Sequence, residues 1–321
     1  MRAVVWEGFD VGPTVRRVAE PTVRPGHVLV RQAFSSVAAG DVLVASGRPI
    51  AFRPVFRAML RPPVLGRGVS GAVVAVGDGV SGVSEGDRVV GEAGQAWGEL
   101  VSVPDGAFAV VPDDVPLSVA ATLPVSGITA LQGLRAGGLR AGARVLVVGA
   151  SGGVGHFAVQ LAAAAGASVT AVSSGAKAER VLELGAERVI DYRQERFTEG
   201  ESRYDLVFDL AGTEPVGACL GVLAEGGVYV SSAGANGGRW LGPLPRMLWV
   251  ALRSIVDRRL TLLGTSPEPE DLRTLLDHVR RGELRPWVGR QRPLEEAPEA
   301  LAAQAAGAVR GVTVLEVGGG R

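Results

Sequence analysis

The sequence predicts an α/β protein built in two parts. An all-β, barrel-like region spans residues 1–120, and a doubly wound sheet of six parallel strands follows it. Three observations predict this. Residues 144–177 read RVLVVGASGGVGHFAVQLAAAAGASVTAVSSGAK, which is a strand, a glycine-rich turn, a helix and a second strand in succession. Beyond that unit, short apolar runs keep alternating with helical stretches, the pattern of a parallel sheet covered on both faces. Ahead of it, short strand-like runs are separated by Gly/Pro turns.

In the central unit, 144–149 is a run of apolar and β-branched residues, as in a strand buried on both faces. The turn 150–155 follows at once. Phe157, Val159, Leu161, Ala162 and Ala165 then lie on a helix that ends at Gly166, and 168–173 is the second buried strand. The spacing is Gly-x-Gly-x-x-Gly with Ala150 in place of the first Gly. Gly152 permits close backbone approach, and Gly155 lets the helix pack on the strand. Ser151, Gly152, Gly153 and Val154 thereby offer backbone N–H groups at a helix N-terminus, where partial positive charge favours a pyrophosphate. An acidic residue at the end of the second strand would bind the ribose 2′-hydroxyl of NAD and repel a 2′-phosphate. This chain instead has Ser173 and Ser174, then Lys177, its only lysine, and Arg180. Hydroxyl donors and cations suit a phosphate dianion, so the expected cofactor is NADPH. The competing explanation of the cations is a solvated basic face on a surface helix.

Composition narrows the class. A length of 321 residues suggests two domains, and a hydrophobic fraction of 47% is ample for two cores. No apolar run reaches the roughly 18 residues of a membrane span, and Glu7 and Asp10 interrupt any signal-peptide core. A formal net charge of zero argues against a nucleic-acid partner. The single cysteine, Cys219, excludes an intramolecular disulfide and fits a reducing cytoplasm. The expected partners are thus small molecules, with no nucleic acid and no membrane.

The candidate strands of the first part are 2–6, 28–35, 69–76, 88–90, 98–103 and 108–111. Residues 46–63 carry apolar and arginine stripes at helical spacing, broken at Pro54, and read as a cleft wall or a plain packing segment. After the central unit come a helix at 176–184 and strands at 188–191, 206–210, 228–233 and 260–264, with a helix at 215–223. The greasy stretch 236–257 separates the last two strands. Helices at 269–281 and 294–306 and a strand at 312–317 end the chain.

The motifs PGHVLV (25–30), VLGRGVSGAVVAVG (64–77), GDRVVGE (86–92), LPVSGITALQGL (123–134), GASGGVG (149–155), LGAERVIDY (184–192) and YDLVFDLAG (204–212) run nearly end to end. Together they resemble the medium-chain dehydrogenase/reductase superfamily, and most closely its zinc-independent quinone oxidoreductases and enone reductases. The resemblance implies a GroES-like β-barrel domain over 1–122, completed by 266–321, and a Rossmann NADPH-binding domain over 123–265. It implies a homodimer, and the cysteine count adds a cytoplasmic setting. It also places Tyr192 by the adenine or its ribose phosphate, and Thr129, Ala233 and Gly234 towards the nicotinamide, with Ala211 at a strand's carboxyl end among the cofactor-binding candidates. The 236–257 stretch resembles a variable lid over an apolar substrate, or a dimer contact.

Zinc-dependent relatives carry a His ligand within Gly-His-Glu, where this chain has Gly66-Arg67-Gly68, and their first Cys ligand falls near Ala38-Ala39. The three histidines, His27, His156 and His278, are scattered, so no metal is expected. Quinone oxidoreductases usually carry Asn at the position of Ala38 and Asp at that of Arg67. Arg67 is either a cation beside the nicotinamide or a surface substitution. The implied reaction is hydride transfer to a quinone, an enone or another polarised alkene of an apolar substrate. Ser36, Ser126 and Arg67 are the candidates to hold the developing oxyanion. No protein acid is evident, which leaves water to protonate the enolate. A pathway-specific tailoring reductase of one bulky metabolite is an alternative, as is a non-enzymatic NADPH-binding protein.

Overall fold

Strands of the first part form where apolar side chains alternate or run together, and turns fall at glycines. In the computed structural model, which describes residues 1–232, 238 and 240–318, the first strands are β1 (Arg2–Trp6), β2 (Pro13–Arg17) and β3 (His27–Val37). Helices α1 (Ala39–Ser46) and α2 (Arg53–Met59) follow. Then come β4 (Gly68–Val76), β5 (Arg88–Glu92), β6 (Leu100–Pro104), β7 (Phe108–Val110), the short α3 (Leu117–Ala120) and a π-helical turn at Leu123–Gly127.

The alternating part begins with α4 (Ile128–Ala136), β8 (Arg144–Val148), α5 (Gly155–Ala164), β9 (Ser168–Ser173) and α6 (Ala178–Glu183). It continues through β10 (Arg188–Asp191), β11 (Tyr204–Asp209), α7 (Val216–Gly221), β12 (Leu223–Ser231), α8 (Leu244–Ser254) and β13 (Leu260–Leu262). The chain closes with α9 (Pro269–Arg280), β14 (Val288–Pro293), α10 (Ala297–Ala305) and β15 (Val312–Glu316).

These elements divide into two compact units, Met1–Ile128 with Ser266–Gly282 and Pro286–Arg321, and Thr129–Thr265 with Glu283–Arg285. In the first unit a mixed sheet runs β14-β15-β3-β4-β5-β7, with β6 also on β3, and β1 pairs with β2. Its interior is filled from alternate positions: Val28, Val30, Val69, Val73, Val89 and Val101 on one side, and Val4, Val37, Leu65, Trp97 and Leu315 on the other. In the second unit all six strands are parallel in the order β10-β9-β8-β11-β12-β13. The apolar run of β8 is buried except at Arg144, and α5 is buried from Gly155 to Ala162. The helix ends at Ala164, one residue before the expected Ala165, which is its exposed cap. Gln160 Oε1 on α5 accepts from Arg285 N at 2.7 Å, which ties Glu283–Arg285 to this unit.

Several expectations need correction. Strands β2 and β14 were not expected; both are short and polar and depend on one neighbour each. Strand β12 starts at Leu223, not 228, because a register irregularity lets it reach Tyr204 before it pairs regularly with Leu206 onward. Pro54 does not break the helix in 46–63; it stands in the first turn of α2, where the missing N–H costs nothing. Only Phe56 and Leu60 of that stripe are buried, while Val55 and Met59 are exposed.

Candidate functional site

The second unit carries a cavity where a doubly wound sheet binds its ligands, outside the carboxyl ends of the strands. It measures about 300 Å³ and is open to solvent. Its floor is Val148, Gly149 and Ser151 after β8, with Val172 and Ser173 at the end of β9. Tyr192, Arg196 and Phe197 after β10 face Ala211, Thr213 and Glu214 after β11.

The turn that shapes this floor depends on absent side chains. Gly149 has φ +88°, a left-handed conformation that suits glycine. A Cβ on Gly155 would lie 2.2 Å from Gly149 O and 2.7 Å from Ala150 Cα, so only glycine lets α5 start so close to β8. His156 is fully buried at this start, its Nδ1 3.0 Å from Gly152 O, and burial pushes its pKa down to about 4. The imidazole is therefore neutral at physiological pH and serves the turn, in keeping with a locally bonded rather than ligating histidine.

The sequence candidates separate into three groups. Ser151, Ser173, Tyr192 and Ala211 line the cavity together. Gly152, Gly153 and Val154 form the turn itself, with Gly152 O and Val154 O accepting the first helical N–H groups of His156 and Ala158. Ser174 O accepts from Lys177 N at 2.9 Å, which places the lysine at the entrance of α6 and not in the cavity wall. Thr129 lies on α4 in the same unit but does not line the cavity. Ala233 and Gly234 lie outside the described residues.

A network that sequence reasoning missed holds the β11 side of the cavity. Asp209, the last residue of β11, is 1% exposed, and its Oδ1 accepts from Ala211 N at 3.1 Å and Gly212 N at 2.8 Å. Its Oδ2 accepts from Tyr229 Oη at 2.8 Å and from Arg246 Nη2 at 2.6 Å. Arg246 comes from α8, and its Nη1 also donates to Glu214 O at 2.5 Å. The Glu214 carboxylate pairs with Arg196 at 2.7 Å, so the rim is bonded from both sides. Burial and the Asp209 charge raise the pKa of Tyr229, and the same two causes push the Cys219 thiol up to about 12. Helix α8 shows the rest of its surface to solvent: Leu248, Trp249 and Leu252 are exposed, and only Val250 is buried.

The first unit holds the catalytic candidates. Ser36, near the end of β3, is buried, and its Oγ would lie 2.7 Å from a Cβ placed on Gly68. Its carbonyl accepts from Trp97 Nε1 at 3.3 Å. Arg67 precedes β4, and its Nη2 donates to Glu92 Oε1 at the end of β5. Asp41, in the first turn of α1, is fully buried and accepts from Ala38 N at 2.8 Å; burial pushes it up to about 6 against the pull of Arg67. The positions of Ala38 and Arg67, far apart in sequence, thus lie close to one another through Asp41. Ser126 sits on the Leu123–Gly127 turn, which packs on β4 and β5. Asp41 and Glu92 were not expected from sequence. Their signal was the pairing of an unusual Arg67 with an acid closing the GDRVVGE motif.

Two family models match, an alcohol dehydrogenase GroES-like domain over residues 24–111 and a zinc-binding dehydrogenase over 184–315. A chloroplast envelope quinone oxidoreductase homolog from Arabidopsis thaliana is 30% identical, covering 94% of this chain and 92% of that protein. An NADPH-dependent alkenal/one oxidoreductase of the same plant is 31% identical over 71% of this chain and 60% of its own length. The quinone oxidoreductase of Coxiella burnetii superposes with a TM-score of 0.85 at 27% identity, over 99% of this chain and 98% of its own. Among the described residues no three His, Cys, Asp or Glu side chains gather to hold a metal ion, and Cys219 lies in the core of the second unit.

Proposed function

Because the chain belongs to the medium-chain dehydrogenase/reductase superfamily, in its quinone oxidoreductase group, we propose that it is an NADPH-dependent reductase of quinones, enones or similar activated alkenes. The observation that carries the cofactor part is the cavity at the strand ends, entered over a Gly155 that admits no side chain and walled by Ser173 where an acid would select NAD. NADPH, when bound, supplies the hydride. The N–H groups of Ser151, Gly152, Gly153 and Val154 would hold its pyrophosphate, and Ser173, Ser174, Lys177 and Tyr192 its 2′-phosphate end. Ala211 would contact the cofactor from the end of β11, and Thr129, Ala233 and Gly234 would border the nicotinamide end.

The residues of the first unit orient the substrate and meet the charge that develops on its oxygen. Ser36, Ser126 and Arg67 are the donors assigned to that oxygen. The reading includes zinc independence, which the donor chemistry of the described residues supports. It also includes an apolar substrate and a homodimer: the exposed apolar face of α8 and the edge position of β13 favour both. A cytoplasmic setting completes it; among the described residues no helix is long and apolar enough to cross a membrane. The test is loss of NADPH absorbance with a panel of quinones and enones, repeated with NADH and after dialysis against a chelator. Turnover that prefers NADPH and survives chelation is expected. NADPH binding without turnover on any acceptor, or loss of turnover on chelation, overturns the reading.

A further inference from the structure

The Arg67–Glu92 pair differs from an ordinary surface ion pair in its layering. Arg67 is 49% exposed, whereas the Glu92 side chain beneath it is only 10% exposed. Asp41 lies deeper still, buried, with a backbone N–H from Ala38 as its hydrogen-bond donor. Two carboxylates therefore share the field of one guanidinium, and the Glu92 charge raises the pKa of Asp41 further. Burial raises the Glu92 pKa, and Arg67 opposes that rise by charge and hydrogen bond. In an arrangement of this kind the affinity of the carboxylate for a proton depends on where the guanidinium points.

The backbone around the three groups is rigid. Glu92 pairs with Gly68 across β4 and β5, Ala93 N donates to Arg67 O at 2.9 Å, and Ala96 N donates to Gly66 O at 3.1 Å. A Cβ on Gly66 would fall 2.2 Å from the Trp97 ring, so the segment leading into Arg67 is pressed against the core.

We propose that Glu92 is the proton donor of the reaction and that Arg67 masks it until substrate arrives. This rests on the reductase reading above. As the β-carbon accepts hydride, the π electrons of the carbon–carbon bond move to the carbonyl oxygen. Arg67 turns its N–H groups from Glu92 to that oxyanion. Left without its counter-ion, Glu92 takes up a proton from solvent and stands as a neutral acid beside the enolate. The proton passes from Glu92 to the α-carbon of an enone, or to the oxygen of a quinone. The carboxylate that this leaves re-pairs with Arg67. Each turnover consumes one hydride and one solvent proton and leaves the protein unchanged.

Two experiments test this, the first without cofactor. A phenolate, as an unreactive oxyanion, is titrated into the protein by calorimetry in buffers of different ionisation enthalpy, with Glu92→Gln and Arg67→Met alongside. The expected result is uptake of a fraction of a proton per phenolate bound by the natural chain and none by Glu92→Gln. Arg67→Met should bind phenolate at least tenfold more weakly. Equal proton uptake in the natural chain and Glu92→Gln overturns the proposal. The second experiment reduces an α-substituted enone in D₂O. The natural chain should deliver deuterium to one face of the α-carbon, with a rate that falls as pH rises through the Glu92 pKa. Glu92→Gln should lose ten- to a hundredfold in kcat, lose that pH limb and label both faces, while its NADPH affinity is retained. One-face labelling and an unchanged pH profile in Glu92→Gln would return the role to water, with hydride transfer itself intact. Absence of hydride transfer in the natural chain would instead refute the reductase reading.

Discussion

Replacing Arg246 by Met probes how the cavity proposed for the cofactor is held. The change keeps a long side chain with good helix propensity on α8 and removes the guanidinium. Asp209 would then lose the 2.6 Å bond from Arg246 while remaining 1% exposed, and Glu214 O would lose its 2.5 Å donor. Breaking a buried ion pair by removing one partner costs about 3–5 kcal/mol. Asp209 keeps three donors, Tyr229 Oη, Ala211 N and Gly212 N, and Arg246 itself is 18% exposed. The lower end, about 3 kcal/mol, is therefore expected. Release of the Ala211–Glu214 rim should also weaken NADPH binding by about tenfold, which is about 1.4 kcal/mol. Urea unfolding followed by circular dichroism should show a lower midpoint at unchanged m-value. Fluorescence titration should show the weaker Kd, and kcat at saturating NADPH should stay within twofold. In a double-mutant cycle with Asp209→Asn the two losses should overlap, because both break the same pair. A cost below about 1 kcal/mol with unaltered NADPH affinity would refute the reasoning, since the rim would then be held without α8.

Three further outcomes are expected. Gly155→Ala drives a methyl group to 2.2 Å from Gly149 O, so it should lower stability by about 1–3 kcal/mol or more and abolish NADPH binding, both read by thermal unfolding with and without cofactor. Ser173→Asp puts a carboxylate at the end of β9, where the sequence pattern places the ribose of a dinucleotide, and should shift the NADPH/NADH ratio of kcat/KM towards NADH by tenfold or more. Asp41→Asn tests the burial of that acid: its folded pKa of about 6 stands above the ordinary 3.8, so the native state binds more protons than the unfolded chain between these values. The natural protein should thus lose about 3 kcal/mol relative to Asp41→Asn as pH rises from 4 to above 6; a gap that stays constant across that window refutes it.

What could be read from the chain and what could not differ by the range of the interaction involved. The floor of the cavity was readable because one contiguous stretch carries it. The run of β8, the glycines at 149, 152 and 155, and the serines ending β9 lie within thirty or so residues, each with a local steric or hydrogen-bonding reason. Asp209 was visible only as the last residue of YDLVFDLAG, and nothing in that run shows that its partner lies on a helix 37 residues away. Arg246 hid for the complementary reason. It sits in the greasiest segment of the chain, where apolar neighbours predict a contact surface and one arginine reads as solvated. The charge group of the first unit is the same case. Arg67 stood out as a departure from its family, yet its pairing with Glu92, 25 residues on across a strand pair, and its pull on Asp41 from another element cannot be seen in the chain. A lone arginine is equally at home in water or in a site. An arginine laid over a buried acid has to be accounted for by the cost of burying that acid, and that cost cannot be computed from the chain until β4 and β5 are paired. The departure at Arg67 and the presence of Glu92 then become one observation, because a cation at the first position is what permits a carboxylate to stay buried at the second.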